Sequence, residues 1–233
     1  MQPNVRHELK YYISLSQYEV LSRLVRAILT PDENGDENAE YHIRSLYFDT
    51  IFNDALADKI AGVNYRNKYR IRIYNYSDSF IRVECKSKLD TYTSKRQAVI
   101  SRDLCEQLIA GDPTGLENTT SGLLRDMFRE MRLNLLRPVV IVDYIREAYM
   151  HPAEDIRVTF DKQLHTGLYS HALFDKDLPT IPLLPPNEVI MEVKFNRFLP
   201  EYISQVLSVA AGWSSRSAIS KYTLCRRFEG MEF

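Results

Sequence analysis

The stretch Lys68-Tyr69-Arg70-Ile71-Arg72-Ile73-Tyr74, followed after a short polar turn by Phe80-Ile81-Arg82-Val83-Glu84-Cys85-Lys86-Ser87-Lys88, decides how this chain is read. Side chains alternate across a β-strand, so every second residue shares a face. In the first segment Lys68, Arg70 and Arg72 lie on one face and Tyr69, Ile71 and Ile73 on the other. In the second, Arg82, Glu84, Lys86 and Lys88 oppose Ile81, Val83 and Cys85. The pairs predict two neighbouring strands, apolar on one side and strongly cationic on the other.

Working outward, the same alternation recurs. Arg6, Glu8 and Lys10 alternate with His7, Leu9 and Tyr11; Arg157, Thr159 and Asp161 with Ile156, Val158 and Phe160; Glu192 and Lys194 with Met191, Val193 and Phe195. For any one strand the simpler reading is a solvated face whose reverse packs on helices. Repetition favours a ligand. Arg and Lys are poor strand formers, and like charges stacked across neighbouring strands repel unless an anion lies among them. Arginine's planar fork pairs with phosphate oxygens in a bidentate manner.

Further strands are predicted at Glu8 to Ser14, Ile43 to Asp49, Ser94 to Ser101, Val139 to Tyr149, Asp155 to Leu164 and Val189 to Phe195. Ser16-Gln17-Tyr18-Glu19 has capping-box spacing ahead of a helix carrying Leu21, Leu24, Val25 and Ile28. Asp49 or Thr50 is expected to cap a short helix ending near Gly62. Helices are also predicted near Asp103 to Ala110, Gly122 to Leu135, Pro200 to Gly212 and Ser217 to Phe228. About eight strands in mostly meander order, with helices between them, predict an α+β fold built on one antiparallel sheet or barrel. A closed eight-stranded barrel would leave an interior wide enough for one elongated ligand.

The 233 residues carry 30 Lys+Arg against 31 Asp+Glu, a net charge of −1. That balance gives no general attraction to nucleic acid or membranes, so any anion site must come from local segregation of charge. Fifteen tyrosines against eight glycines favour a sheet over a glycine-loop nucleotide fold. No P-loop or dinucleotide-binding glycine motif occurs. Cys85, Cys105 and Cys225 have no metal or redox spacing, nor do the five histidines. With no apolar leader and no apolar run near the roughly 20 residues needed to span a bilayer, a cytoplasmic protein without a transmembrane segment is expected.

These residues resemble the polyphosphate polymerase domain of the vacuolar transporter chaperone family, within the triphosphate tunnel metalloenzymes. Arg6-His7-Glu8-Leu9-Lys10-Tyr11 is similar to the opening tunnel strand, and Ser45-Leu46-Tyr47-Phe48-Asp49-Thr50 to the second. Lys68-Tyr69-Arg70-Ile71-Arg72 resembles the paired-arginine strand and Val83-Glu84-Cys85-Lys86 the lysine strand; Lys95 matches the next basic position. Asp143-Tyr144-Ile145-Arg146, Met191-Glu192-Val193-Lys194 and Ser220-Lys221-Tyr222 resemble the later arginine, metal-glutamate and C-terminal lysine motifs.

The resemblance implies one triphosphate-tunnel domain over residues 1–233, closed as an eight-stranded barrel with surrounding helices. It implies a polymerase that moves the γ-phosphate of ATP to inorganic polyphosphate with Mn²⁺ or Mg²⁺. Lys10, Arg70, Arg72, Lys86, Lys95, Arg146 and Lys221 would contact phosphates, Arg6 and Ser220 would belong to the cofactor-binding set, with Ser220 hydrogen-bonding the end of the phosphate chain, and Glu192 would hold the metal. Glu8 and Glu84 are expected to orient the cations. Arg6 stands where a triphosphatase of this superfamily carries its first glutamate, which favours the polymerase; a metal-dependent triphosphatase and a non-catalytic polyphosphate-binding module are the rival readings. Coupling to membrane transport would require a separate membrane-bound chain. No aromatic clamp is tied to the basic strands, so the sequence does not indicate how a nucleobase would be read.

Overall fold

The computed structural model describes residues 7–89, 92–152, 155–196, 198–211 and 217–230. Ten strands and six α-helices alternate along them. The strands are β1 (His7–Ser14), β2 (Thr30–Pro31), β3 (Glu40–Asp49), β4 (Tyr65–Tyr74), β5 (Ser77–Leu89), β6 (Tyr92–Ile100), β7 (Arg137–Met150), β8 (Arg157–Thr166), β9 (Ile181–Pro182) and β10 (Glu188–Phe195). The helices are α1 (Leu15–Ile28), α2 (Asp54–Ile60), α3 (Arg102–Ile109), α4 (Gly122–Leu133), α5 (Glu201–Ala211) and α6 (Lys221–Phe228). Every strand predicted from alternation is present; the two-residue strands β2 and β9 were not foreseen.

The main hydrogen-bonded path runs β1-β10-β8-β7-β3-β4-β5-β6, with β2 paired to β7 and β9 to β8. The class is α+β, with an antiparallel sheet. The expectation of a closed barrel is corrected: β1 and β6 end the path, and no described pairing joins them. Alternation fixes which side chains share a face. Closure depends on strand tilt and stagger, which alternation does not record.

The chain divides into two compact units, with the boundary falling within β3, β7, β8 and β9. In the unit of residues 43–143, 165–181 and 221–233, the inner faces of β4 and β5 supply Ile71, Ile73, Ile81 and Val83 to a core completed by Leu108 of α3 and by Met127 and Met131 of α4. Cys85 and Cys105 are buried there as free thiols. In the unit of residues 1–42, 144–164 and 182–220, Leu21 and Val25 of α1 and Ile203 of α5 pack on Ile13, Val158, Phe160, Met191 and Val193. Each fully buried aliphatic side chain contributes about 1.5–3 kcal/mol, so these apolar faces fix which residues the opposite faces present.

The cap of α1 lies two residues earlier than the sequence predicts. Ser14 Oγ accepts from the Gln17 amide at 3.2 Å, and Gln17 Oε1 accepts from the Ser14 amide at 2.7 Å. That reciprocal pair is a capping box ending on Gln17. At α2 the N-cap position is Asn53 and not Asp49 or Thr50, but both reach the first turn: Asp49 accepts from the amides of Ala55 and Leu56 at 2.9 and 3.2 Å, and Thr50 Oγ1 from that of Asp54 at 3.2 Å.

Candidate phosphate-binding site

In the unit containing β4, β5 and β6, the predicted cations fall into register. Arg66 pairs with Lys88; Lys68 with Lys86, and Lys86 with Lys95; Arg70 with Glu84; Arg72 with Arg82. Directly opposed residues of antiparallel strands share a face. Within these four rows of described residues the face carries eight cations and the single carboxylate of Glu84. Successive rows lie about 7 Å apart along the strands.

Glu84 is 1% exposed and ties the middle of the face together. Its Oε2 accepts from Arg70 Nε at 2.7 Å and lies 2.5 Å from Arg70 Nη2 and 3.9 Å from Arg72 Nη1. Its other oxygen pairs with Lys95 Nζ. Burial alone would raise the Glu84 pKa, but Arg70, Arg72 and Lys95 hold it well below the usual carboxylate range. The same crowding acts oppositely on Lys95: burial, with help from Arg70 and Arg72, lowers its pKa to about 8 although Glu84 partly offsets them.

Strand β3 adds hydroxyls to this face, a contribution the sequence reading did not assign. Arg70 Nη1 donates to the Tyr47 hydroxyl at 2.7 Å, and Arg72 Nε donates to Ser45 Oγ at 3.1 Å. The registers Ser45–Arg72 and Tyr47–Arg70 impose both contacts. The signal lay in the alternation of Ser45, Tyr47 and Asp49. Tyr222 of α6 stacks on Tyr47 at 5.1 Å, and Lys68 Nζ lies 5.1 Å from the Tyr222 ring centroid. Lys221 opens α6 beside this stacked tyrosine. At the other end of the face, Arg82 lies over the rings of Tyr74 and Phe80, an aromatic cluster that the sequence reading also missed.

The second unit holds a charge-balanced cluster. Lys10 pairs in register with Glu192 and Glu192 with Thr159; Glu8 pairs with Lys194. Lys10 Nζ lies 2.8 Å from Glu8 and 3.9 Å from Glu192, and donates to the Ile219 carbonyl at 3.2 Å. That last bond brings the segment ending in Ser220 against β1. Lys194 Nζ lies 2.9 Å from Glu192. Arg146 is bidentate on Asp161 at 2.6 and 2.8 Å and 3.7 Å from Glu192. Burial works against the ammonium of Lys10, yet Glu192 and Glu8 raise its pKa above the ordinary lysine value. Burial likewise opposes the Glu192 carboxylate, and Lys194 and Lys10 hold its pKa well down.

The predicted residues therefore divide. Arg70, Arg72, Lys86, Lys95 and Lys221 belong to one unit, and Lys10, Arg146, Glu192 and Ser220 to the other. Arg6 lies outside the described residues. Among the described residues no group of three or more His, Cys, Asp or Glu side chains is arranged to hold a metal by itself.

The family model described as the VTC domain matches residues 5–228. The chain belongs to the VTC domain family. Among solved structures, this VTC-domain chain resembles a proposed adenylyl cyclase from Hippeastrum described as revealing a dominant triphosphatase activity, at 16% identity and a TM-score of 0.59 over 95% of each chain. It is also similar to proposed adenylate cyclases from Bacillus halodurans (12% identity, TM-score 0.53, 94% of each chain) and Vibrio parahaemolyticus. The latter match has 12% identity and a TM-score of 0.50, over 97% of this chain and 99% of the other. At such identities the likeness establishes a shared fold alone. No curated protein sequence matches the chain.

Proposed function

We propose that this VTC-domain protein transfers the γ-phosphoryl group of ATP to the end of a polyphosphate chain, residues 1–233 acting as one catalytic domain. The observation that carries this reading is the set of like charges opposed across β4, β5 and β6 around a single carboxylate. Opposed like charges destabilise a sheet, and a chain of phosphates lying among them relieves that repulsion.

In this mechanism Arg70, Arg72, Lys86 and Lys95 neutralise the oxygens of the transferring group, and Tyr47 and Ser45 hold the two arginines in orientation. Lys10, Arg146 and Lys221 are assigned further phosphate contacts, Ser220 a hydrogen bond to the end of the phosphate chain, and Arg6 a place in the cofactor-binding set. A terminal phosphate oxygen of the acceptor attacks the γ-phosphorus in line. The bond from that phosphorus to the β-phosphate oxygen breaks, and ADP leaves. An anionic phosphate oxygen has no proton to surrender, so the acceptor needs no general base. That suits a face whose carboxylate is held too acidic to serve as one.

The residues around Glu192 fit a divalent cation. Glu192 and Glu8 are hard oxygen donors, and the hydroxyl of Thr159, in register with Glu192, is buried without a hydrogen-bond partner. Glu192, with Glu8 and Thr159 beside it, would hold Mg²⁺ or Mn²⁺, hard ions that favour oxygen donors. When bound, the ion would supply additional neutralisation of phosphate charge.

Purified protein incubated with ATP and Mn²⁺ is expected to release ADP and accumulate long polyphosphate. A metal-dependent triphosphatase, with water replacing the phosphate acceptor, is the second reading, favoured by the likeness to the Hippeastrum protein described as revealing a dominant triphosphatase activity. Orthophosphate as the sole product would select it. Arg6→Glu should then raise hydrolysis. Binding without turnover in either metal would leave a polyphosphate-binding module.

A further inference from the structure

The cationic face ends in exposed aromatic surface. Beyond the Arg72–Arg82 row the register of β4 and β5 shifts, Tyr74 pairing with Ser77, and the rings of Tyr74 and Phe80 both lie against Arg82. The Arg82 guanidinium carbon sits 4.5 Å from the Phe80 ring centroid and 5.1 Å from that of Tyr74. Unlike Arg70, Arg82 has no carboxylate partner among the described residues. Its Nη1 donates to Gln97 at 3.2 Å, and its buried Nε has no hydrogen-bond partner. Two rings hold this guanidinium, where a glutamate holds the other. Phe80 nevertheless remains 42% exposed, and Val99, in register with Arg82, is 61% exposed.

We propose that Phe80, Tyr74 and Arg82 form a stacking platform for the base of a nucleoside triphosphate whose phosphates lie on the neighbouring cationic rows. This rests on the phosphate-binding reading and adds to it a subsite for the nucleoside. The ordering fits the ligand. Arg72 and Arg82 are the last cations of β4 and β5 in this direction, and the rings of Tyr74 and Phe80 flank Arg82 where the register shifts. A nucleotide presents the same sequence, from charged phosphates through a ribose to a flat, uncharged base. A ring backed by a guanidinium offers both stacking and cation–π attraction. Rings serving only to cover the arginine's stem would not explain why so much of Phe80 faces solvent beside a charged surface.

Affinity for a nucleotide can be compared with affinity for the phosphates alone. Titration calorimetry would use a non-hydrolysable ATP analogue and inorganic tripolyphosphate, each with the same metal, on wild-type protein, Phe80→Leu and Phe80→Trp. Phe80→Leu keeps apolar bulk at an exposed position and is expected to fold normally, which circular dichroism would check. It should weaken the ATP analogue about tenfold while changing tripolyphosphate by less than about twofold, and Phe80→Trp should restore nucleotide affinity. An unchanged ATP-analogue affinity in Phe80→Leu, or an equal loss for both ligands, would overturn the platform while leaving the phosphate site standing. Failure of wild-type protein to bind either ligand would remove the phosphate reading and the platform together.

Discussion

Lys95 occupies the position in the cationic face where protonation matters most. Its ammonium sits on Glu84 and in register with Lys86, near Arg70 and Arg72, so the folded protein holds its pKa at about 8. The unfolded chain keeps the ordinary lysine value, so between about pH 8 and 10.5 the unfolded state binds more protons and stability rises with pH. Ligand binding runs the other way. A phosphate attracts the ammonium and not the neutral amine, so tripolyphosphate affinity should fall as pH climbs through 8. Lys95→Met should bind more weakly at neutral pH and lose that component of the decline; an identical pH profile in both proteins would remove Lys95 from the site. Glu84 has the opposite linkage. Its depressed pKa adds stability that is full above its ordinary value of 4.5 and is lost as pH falls below it.

At the scale of elements, much of the structure was legible because strand periodicity is a direct imprint of burial. The registers that align Lys68, Lys86 and Lys95 follow from two hairpins whose apolar residues must all reach one core. Less was legible where local chemistry competes. Both Ser14 and Ser16 precede α1, and only the backbone path decides that Ser14 closes the capping box. The aromatic cluster around Arg82 was not legible because the register of β4 and β5 shifts between Arg72 and Tyr74, so alternation alone does not bring Tyr74 and Phe80 together. The docking of α6 was also hidden, since it depends on contacts more than 170 residues apart. The Tyr222 hydroxyl donates to the buried Asp49 carboxylate that also caps α2, and Arg226 reaches Asn53 at 2.7 Å and the Tyr222 oxygen at 3.3 Å. Tyr222→Phe keeps the ring stack on Tyr47 but takes a donor from a buried carboxylate. A loss of about 1–3 kcal/mol is expected in denaturant unfolding. Because Lys221 opens the same helix, weaker tripolyphosphate binding should accompany it. Unfolding at the wild-type midpoint would show that the hydroxyl does not secure α6.

For the molecule as a whole, net charge and local charge point in different directions. The sum is −1, so the protein has little overall attraction for a polyanion. The described face of β4, β5 and β6 nevertheless concentrates eight cations against one carboxylate, whereas around Glu192 acids and bases are nearly matched. Alternation made this segregation visible in the sequence, while closure of the sheet stayed invisible because it depends on how the end strands are placed. Segregation has a measurable consequence. If phosphates bind on the unbalanced face, most of their attraction comes from ammonium and guanidinium groups that salt screens. At 0.1 M ionic strength the screening length is about 10 Å, comparable with one or two rows of the face. Tripolyphosphate affinity should therefore drop by roughly tenfold between 50 and 300 mM KCl. Arg70→Ala combined with Arg72→Ala should flatten that dependence as well as weaken binding, because the screened charges are then gone. A salt response as steep in the double variant as in the wild type would place the phosphates away from β4, whatever reaction the protein carries out.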